Sequence, residues 1–222
     1  MLLALLLAAQ GARPPAHLVV PRSLQEERDG APEIFSDPQL LSALGDFKPE
    51  PGAWAEYLVR SSGEQVRVRI SVLPEAAPEG RYWLELDTAS PGGPPAAAKL
   101  LLHGSPARAE NIERLLLFMP GQAPVEIPVD QLREDMPAEP AAKAPKVSRK
   151  KRERVQVRGG TFADAEALQV GDTRLWRSDR VPLWGLIKSR SPRATVELLG
   201  SARSGAHSVF PGDQGNGSES TK

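Results

Sequence analysis

Between Val66 and Asp87 the chain alternates. Val66, Val68, Ile70 and Val72 are separated by Arg67, Arg69 and Ser71, and after a break Tyr82, Leu84 and Leu86 are separated from Trp83, Glu85 and Asp87. Successive side chains of a strand point to opposite faces, so a period of two gathers the apolar residues on one face and the polar ones on the other. The break, Pro74 to Gly80, has the proline and glycine of a turn and is too short for a crossover helix. A chain written this way folds into an antiparallel sheet with one dry face and one wet face.

The same grammar recurs on both sides. Further strands are expected at Lys99–His103, at Ile112–Met119 with Pro120-Gly121 as the stop, and at Val125–Val129, which Pro128 consigns to an edge. Beyond them come Val155 and Val157, a Gly159-Gly160 turn, Phe162, Leu175-Trp176, the apolar stretch Leu183–Ile187, Thr195–Leu199 and Ser208–Phe210. One helix start stands out. In Ser36-Asp37-Pro38 a side-chain oxygen can accept from a free backbone N–H, and proline suits the first turn, while Leu40, Leu41 and Leu44 form one side and Gly45 ends it. The expected fold is therefore mainly β, a curved antiparallel sheet or half-open β-barrel with one or two short helices.

Composition limits how much of the chain this fold can hold. Of 222 residues 40% are hydrophobic, and 22 prolines with 19 glycines imply loops and tails. Residues 1–11 begin Met-Leu-Leu-Ala-Leu-Leu-Leu-Ala-Ala, which has the length of a signal-peptide core and falls short of the roughly 20 residues a membrane-spanning helix needs. They read as a signal peptide, and the protein as periplasmic or secreted. Residues 12–35, with four prolines, read as an exposed leader, residues 36–210 as one β domain with a flexible Pro/Ala/Lys insertion at 137–148, and residues 211–222 as a disordered tail.

Reactive chemistry is hard to find in this sequence. There is no cysteine, which removes disulfides, thiolate metal sites and thiol catalysis together. His17, His103 and His207 lack partners at metal-ligand spacing, and neither a Gly-x-Ser-x-Gly elbow nor a phosphate-binding glycine loop occurs. Glu85 and Asp87 are expected on the wet face, as solubilising residues. No enzyme, cofactor or metal is expected.

Charge is distributed unevenly. The net charge is zero, which argues against a dedicated nucleic-acid binder, yet residues 1–140 stand at −8 and residues 141–222 at +8. The dense run is Arg149, Lys150, Lys151, Arg152 and Arg154, broken only by Glu153. It reads as the solvated start of a strand, or as a surface for anionic lipid headgroups.

A curved sheet has an inner face to cover, and one short helix with loops is little cover. Trp54, Trp83, Trp176, Leu183, Trp184 and Ile187 are the candidates to line an apolar groove on that face. The alternative is that the four tryptophans pack the core.

At Gly160-Thr-Phe, Trp176, Ser178-Asp-Arg-Val-Pro-Leu-Trp-Gly-Leu-Ile-Lys-Ser and Val196-Glu-Leu-Leu-Gly the sequence resembles a group of uncharacterised exported bacterial proteins. That group is in turn similar to the periplasmic lipoprotein carriers of the LolA and LolB type. The resemblance implies an unclosed antiparallel barrel, with helices across its opening, that holds lipid. Together the readings give a non-enzymatic envelope protein binding a lipid or other hydrophobic ligand, or alternatively a protein-interaction module docking through a sheet edge or through residues 149–154.

Overall fold

The computed structural model describes Phe35 and residues 37–61, 63–93, 95–130 and 146–210. The expected signal peptide, nearly all of the leader, most of the insertion and the tail lie outside the described residues. What is described is one antiparallel sheet of eleven strands, and it is not closed.

The strands are β1 (Trp54–Ser61), β2 (Glu64–Val72), β3 (Tyr82–Ala89), β4 (Ala96–Leu102), β5 (Ile112–Phe118), β6 (Val125–Ile127), β7 (Val147–Val157), β8 (Gly160–Val170), β9 (Thr173–Arg177), β10 (Leu186–Arg190) and β11 (Ala194–Ala202). Their order across the sheet is β6-β5-β4-β3-β2-β1-β11-β10-β9-β8-β7. The chain thus meanders from the centre out to β6, crosses to the far edge at β7, and meanders back. Its first and last strands pair in the middle, with Trp54 opposite Ala202 and Ser61 opposite Ala194.

Alternation places the residues as expected through β2 and β3, where Val66, Val68, Ile70, Val72, Tyr82, Leu84 and Leu86 belong to one buried cluster. Pro128 follows β6 directly, and β6 is an edge. Several boundaries differ from expectation, with β4 starting at Ala96 and β10 only at Leu186. β7 begins at Val147, so the last two residues of the expected insertion are strand. Ser208–Phe210 alternates like a strand but makes no ladder. Phe35, the last residue of the expected leader, is buried, with its ring 5.3 Å from that of Tyr57.

The helix, α1 (Pro38–Leu44), follows its sequence signals. Asp37 Oδ1 accepts from the N–H groups of Gln39 at 2.7 Å and Leu40 at 3.4 Å, satisfying donors the first turn leaves free. Gly45 ends it with φ +98°, and there a Cβ would also meet the Arg177 guanidinium at 2.9 Å. Leu40, Leu41 and Leu44 are buried in the same cluster as Tyr57, which defines the face α1 covers as the inner face. Seven residues make a marginal helix in isolation, so α1 depends on that packing.

Candidate functional site

The inner face has a cover made of Phe35 and residues 37–48. Phe47 lies between two strands far apart in the sheet, its ring 5.5 Å from Tyr82 on β3 and 4.6 Å from Trp184 just before β10. Lys48 bridges to Leu183, with the Lys48 N–H donating to the Leu183 carbonyl at 3.3 Å. Arg177 on β9 donates to the Leu44 carbonyl at the C-terminal end of α1 while its Nε holds Glu166 at 2.8 Å. Apart from these polar links the cover is held by apolar contact.

The loop before β10 shapes the other side of this region. Ser178 N–H donates to Gly185 O at 2.8 Å, and the N–H of Val181 returns to Ser178 O at 3.1 Å. Leu183 takes φ +64°, a left-handed conformation that costs a branched side chain about 1 kcal/mol or more. Gly185, at φ +74°, sits so close to Ser178 that a Cβ would stand 2.8 Å from its carbonyl oxygen. Packing offsets this strain, since Leu183, Trp184, Leu186 and Ile187 are all buried in the inner cluster.

The six residues expected to line one groove are divided between faces. Leu183, Trp184 and Ile187 join the cluster under α1. Trp54 and Trp83 stand on the other face, and Trp176, whose register position is on that side, is nonetheless buried in the same cluster. Trp54 is opposite Ser71, which is opposite Glu85, two positions from Trp83; Trp176 is opposite Lys188, then Glu197, then Leu58 on the side of β1 that carries Trp54. Each of these three has a cation over its ring: Arg69 at 4.1 Å from Trp54, Lys99 at 5.0 Å from Trp83, Arg174 at 4.7 Å from Trp176. Trp54 and Trp83 thus cover the outer face with cation–π pairs and do not line the inner one.

A second cluster occupies the outer face. Glu85 is 2% exposed and Lys99, directly opposite it, 4%. The expected wet face is dry at this point because residues 206–210 lie over it. Ser208 Oγ donates to Glu85 Oε2 at 2.6 Å, Val209 N–H donates to Oε1 at 3.0 Å, and the Phe210 ring sits 5.5 Å from Phe118. Lys99 Nζ reaches Glu75 Oε2 at 2.6 Å. Burial pushes the Glu85 carboxyl above the usual carboxylate range, against the lowering pull of Ser208, Val209 and Lys99. Burial also raises Asp87, against Arg69 and Arg67. The sequence did carry a sign of this cluster: Lys99 is alone in Ala-Ala-Ala-Lys-Leu-Leu-Leu, seven residues that are all buried, and a cation there requires partners. With both Glu85 oxygens bonded to Ser208 and Val209, the cluster holds the segment of residues 206–210 against the sheet.

The basic run lies on β7. Arg152 and Arg154 are exposed, and Glu153 turns to the neighbouring strands, accepting from Arg174 Nη2 at 2.9 Å and from Trp176 Nε1. Beyond the run the hairpin tip returns to β11, where Gly159 N–H donates to Leu198 O at 2.9 Å. Among the described residues no three His, Asp or Glu side chains are grouped as a metal would need, and no helix is long and apolar enough to cross a membrane.

Neither a scan against protein-family models nor a search of curated proteins returns a match to this chain.

Proposed function

We propose that this is an exported, non-enzymatic envelope protein that carries a lipid or another hydrophobic ligand on the inner face of its sheet. The observation that supports the reading is the cover itself. An unclosed sheet with a largely apolar inner face is covered by a seven-residue helix and two phenylalanines. Their contacts are the kind that any apolar chain can replace, because burial is non-directional and follows area at about 25 cal/mol per Å². An acyl chain entering between residues 35–48 and the sheet exchanges one set of apolar contacts for another, and needs no reactive residue to be held.

The experiment is to extract the purified full-length protein with organic solvent and to titrate the protein with a fluorescent fatty-acid probe. Lipid in the extract and saturable, competable probe binding are expected. Trp184→Ala weakens that binding, whereas Trp83→Ala on the outer face leaves it unchanged. An empty extract together with no saturable probe binding would overturn the proposal.

A further inference from the structure

We infer that β7 is a docking edge for anionic membrane surfaces. Among the described residues β7 has a neighbour, β8, on one side only. Five of its residues between 149 and 154 are basic, and the one acidic residue in the run does not cancel them at the edge, because the Glu153 carboxylate is taken by Arg174 and Trp176. Arg152 and Arg154 are exposed, as is Lys146 just before the strand, and Val147, 37% exposed, gives the edge an apolar point at its start.

Two kinds of partner suit a basic edge: an acidic peptide that adds as a further strand, and an anionic bilayer. Strand addition needs an even ladder of outward N–H and C=O groups. In β7 the register with β8 shifts twice, between Arg149 and Arg152 and again between Glu153 and Val155, which breaks that ladder and twists the edge. Irregular edges with clustered cations are how proteins prevent strand addition. A charged plane asks for no register. The exposed Arg152 and Arg154 can both approach headgroups when the edge meets the surface end-on, and a basic residue at such a surface is worth about a fivefold gain in partitioning.

The test uses the full-length, ligand-free protein sedimented with vesicles of phosphatidylcholine, with and without phosphatidylglycerol. Binding to the anionic vesicles alone, lost as salt is raised, is expected. Replacing Arg149, Lys150, Lys151 and Arg152 together with glutamine lowers it by at least about tenfold. Arg154→Glu weakens it, and the same charge change at Arg190→Glu, an exposed residue of β10, does not. The inference is overturned by equal binding to neutral vesicles, by equal loss with Arg154→Glu and Arg190→Glu, or by a poly-glutamate peptide that binds the protein and gains β signal while vesicles do not bind. It stands apart from the carrier reading, since probe binding in vesicle-free solution tests one and vesicle binding without ligand tests the other.

Discussion

Two segments cover the faces of this sheet, and they do so by opposite chemistry. Phe35 and residues 37–48 lie on the inner face and hold it by Phe35, Leu40, Leu41, Leu44 and Phe47, with hydrogen bonds near the ends. Residues 203–210 lie on the outer face and hold it by direction: Arg203 to Glu50 at 2.5 Å, Ala206 N–H to Gly52 O at 2.9 Å, and Ser208 and Val209 to both oxygens of Glu85. A directional cover cannot be exchanged without leaving a buried charge, which costs several kcal/mol. An apolar cover can be exchanged for anything of similar shape. On the proposed reading, the contrast gives stability to the outer strap and ligand exchange to the inner one.

The contrast can be broken most directly at Glu85. Glu85→Ala removes an acidic neighbour of the buried Lys99 and frees the strap, so urea unfolding is expected to show a loss of about 3 kcal/mol. A loss below that of an inner-cover truncation would reverse the assignment. The same residue sets a pH dependence. Because the folded carboxyl titrates above its unfolded value, the native state binds the proton more tightly, and stability falls as pH rises from the unfolded pKa through the folded one. Urea midpoints measured from pH 4 upward should show that fall in the parent and a shallower one in Glu85→Gln.

Leu44→Ala sharpens the other side. A buried leucine truncated to alanine costs about 2 to 3 kcal/mol, but here the loss should be accompanied by faster proteolysis within residues 35–48 and undiminished probe binding. Loss of probe binding in a folded Leu44→Ala protein would tie the ligand to α1 as a fixed wall. Asp37→Ala removes the cap alone and is expected to cost about 1 kcal/mol in thermal melts. The smallest effect belongs to the outer tryptophans: Arg69→Gln removes the cation over Trp54 and should lower stability by about 0.5 kcal/mol, with no change in probe binding.

The sequence made local geometry readable and left coverage hidden. Alternation in β2 and β3 told which side chains share a face, and the Asp37-Pro38 start with Gly45 as stop told where α1 runs. Both are properties of adjacent residues. Whether Glu85 is wet depends on Ser208 and Val209, more than a hundred positions away, and no period within β3 contains them. The tryptophans are divided for the same reason. Each has a face within its own strand, but grouping Trp54 with Trp184 required knowing registers across β1, β11 and β10, including the shifts at Glu56/Tyr57 and Leu186/Lys188. Ser208–Phe210 has the pattern of a strand because its buried side chains alternate, yet what they face is a set of side chains and not a neighbouring backbone.

The pairing of β1 with β11 has a consequence for how the molecule is made. During synthesis β1 to β6 emerge first, and the flank of β1 stays bare until the ribosome has released residues 194–202. The central seam is therefore the last to zip, a contact of very long sequence range that slows folding and leaves a sticky margin on the nascent chain. Truncation anywhere before Ala202 would strip hydrogen bonds from the middle of the sheet, where most proteins lose only a rim.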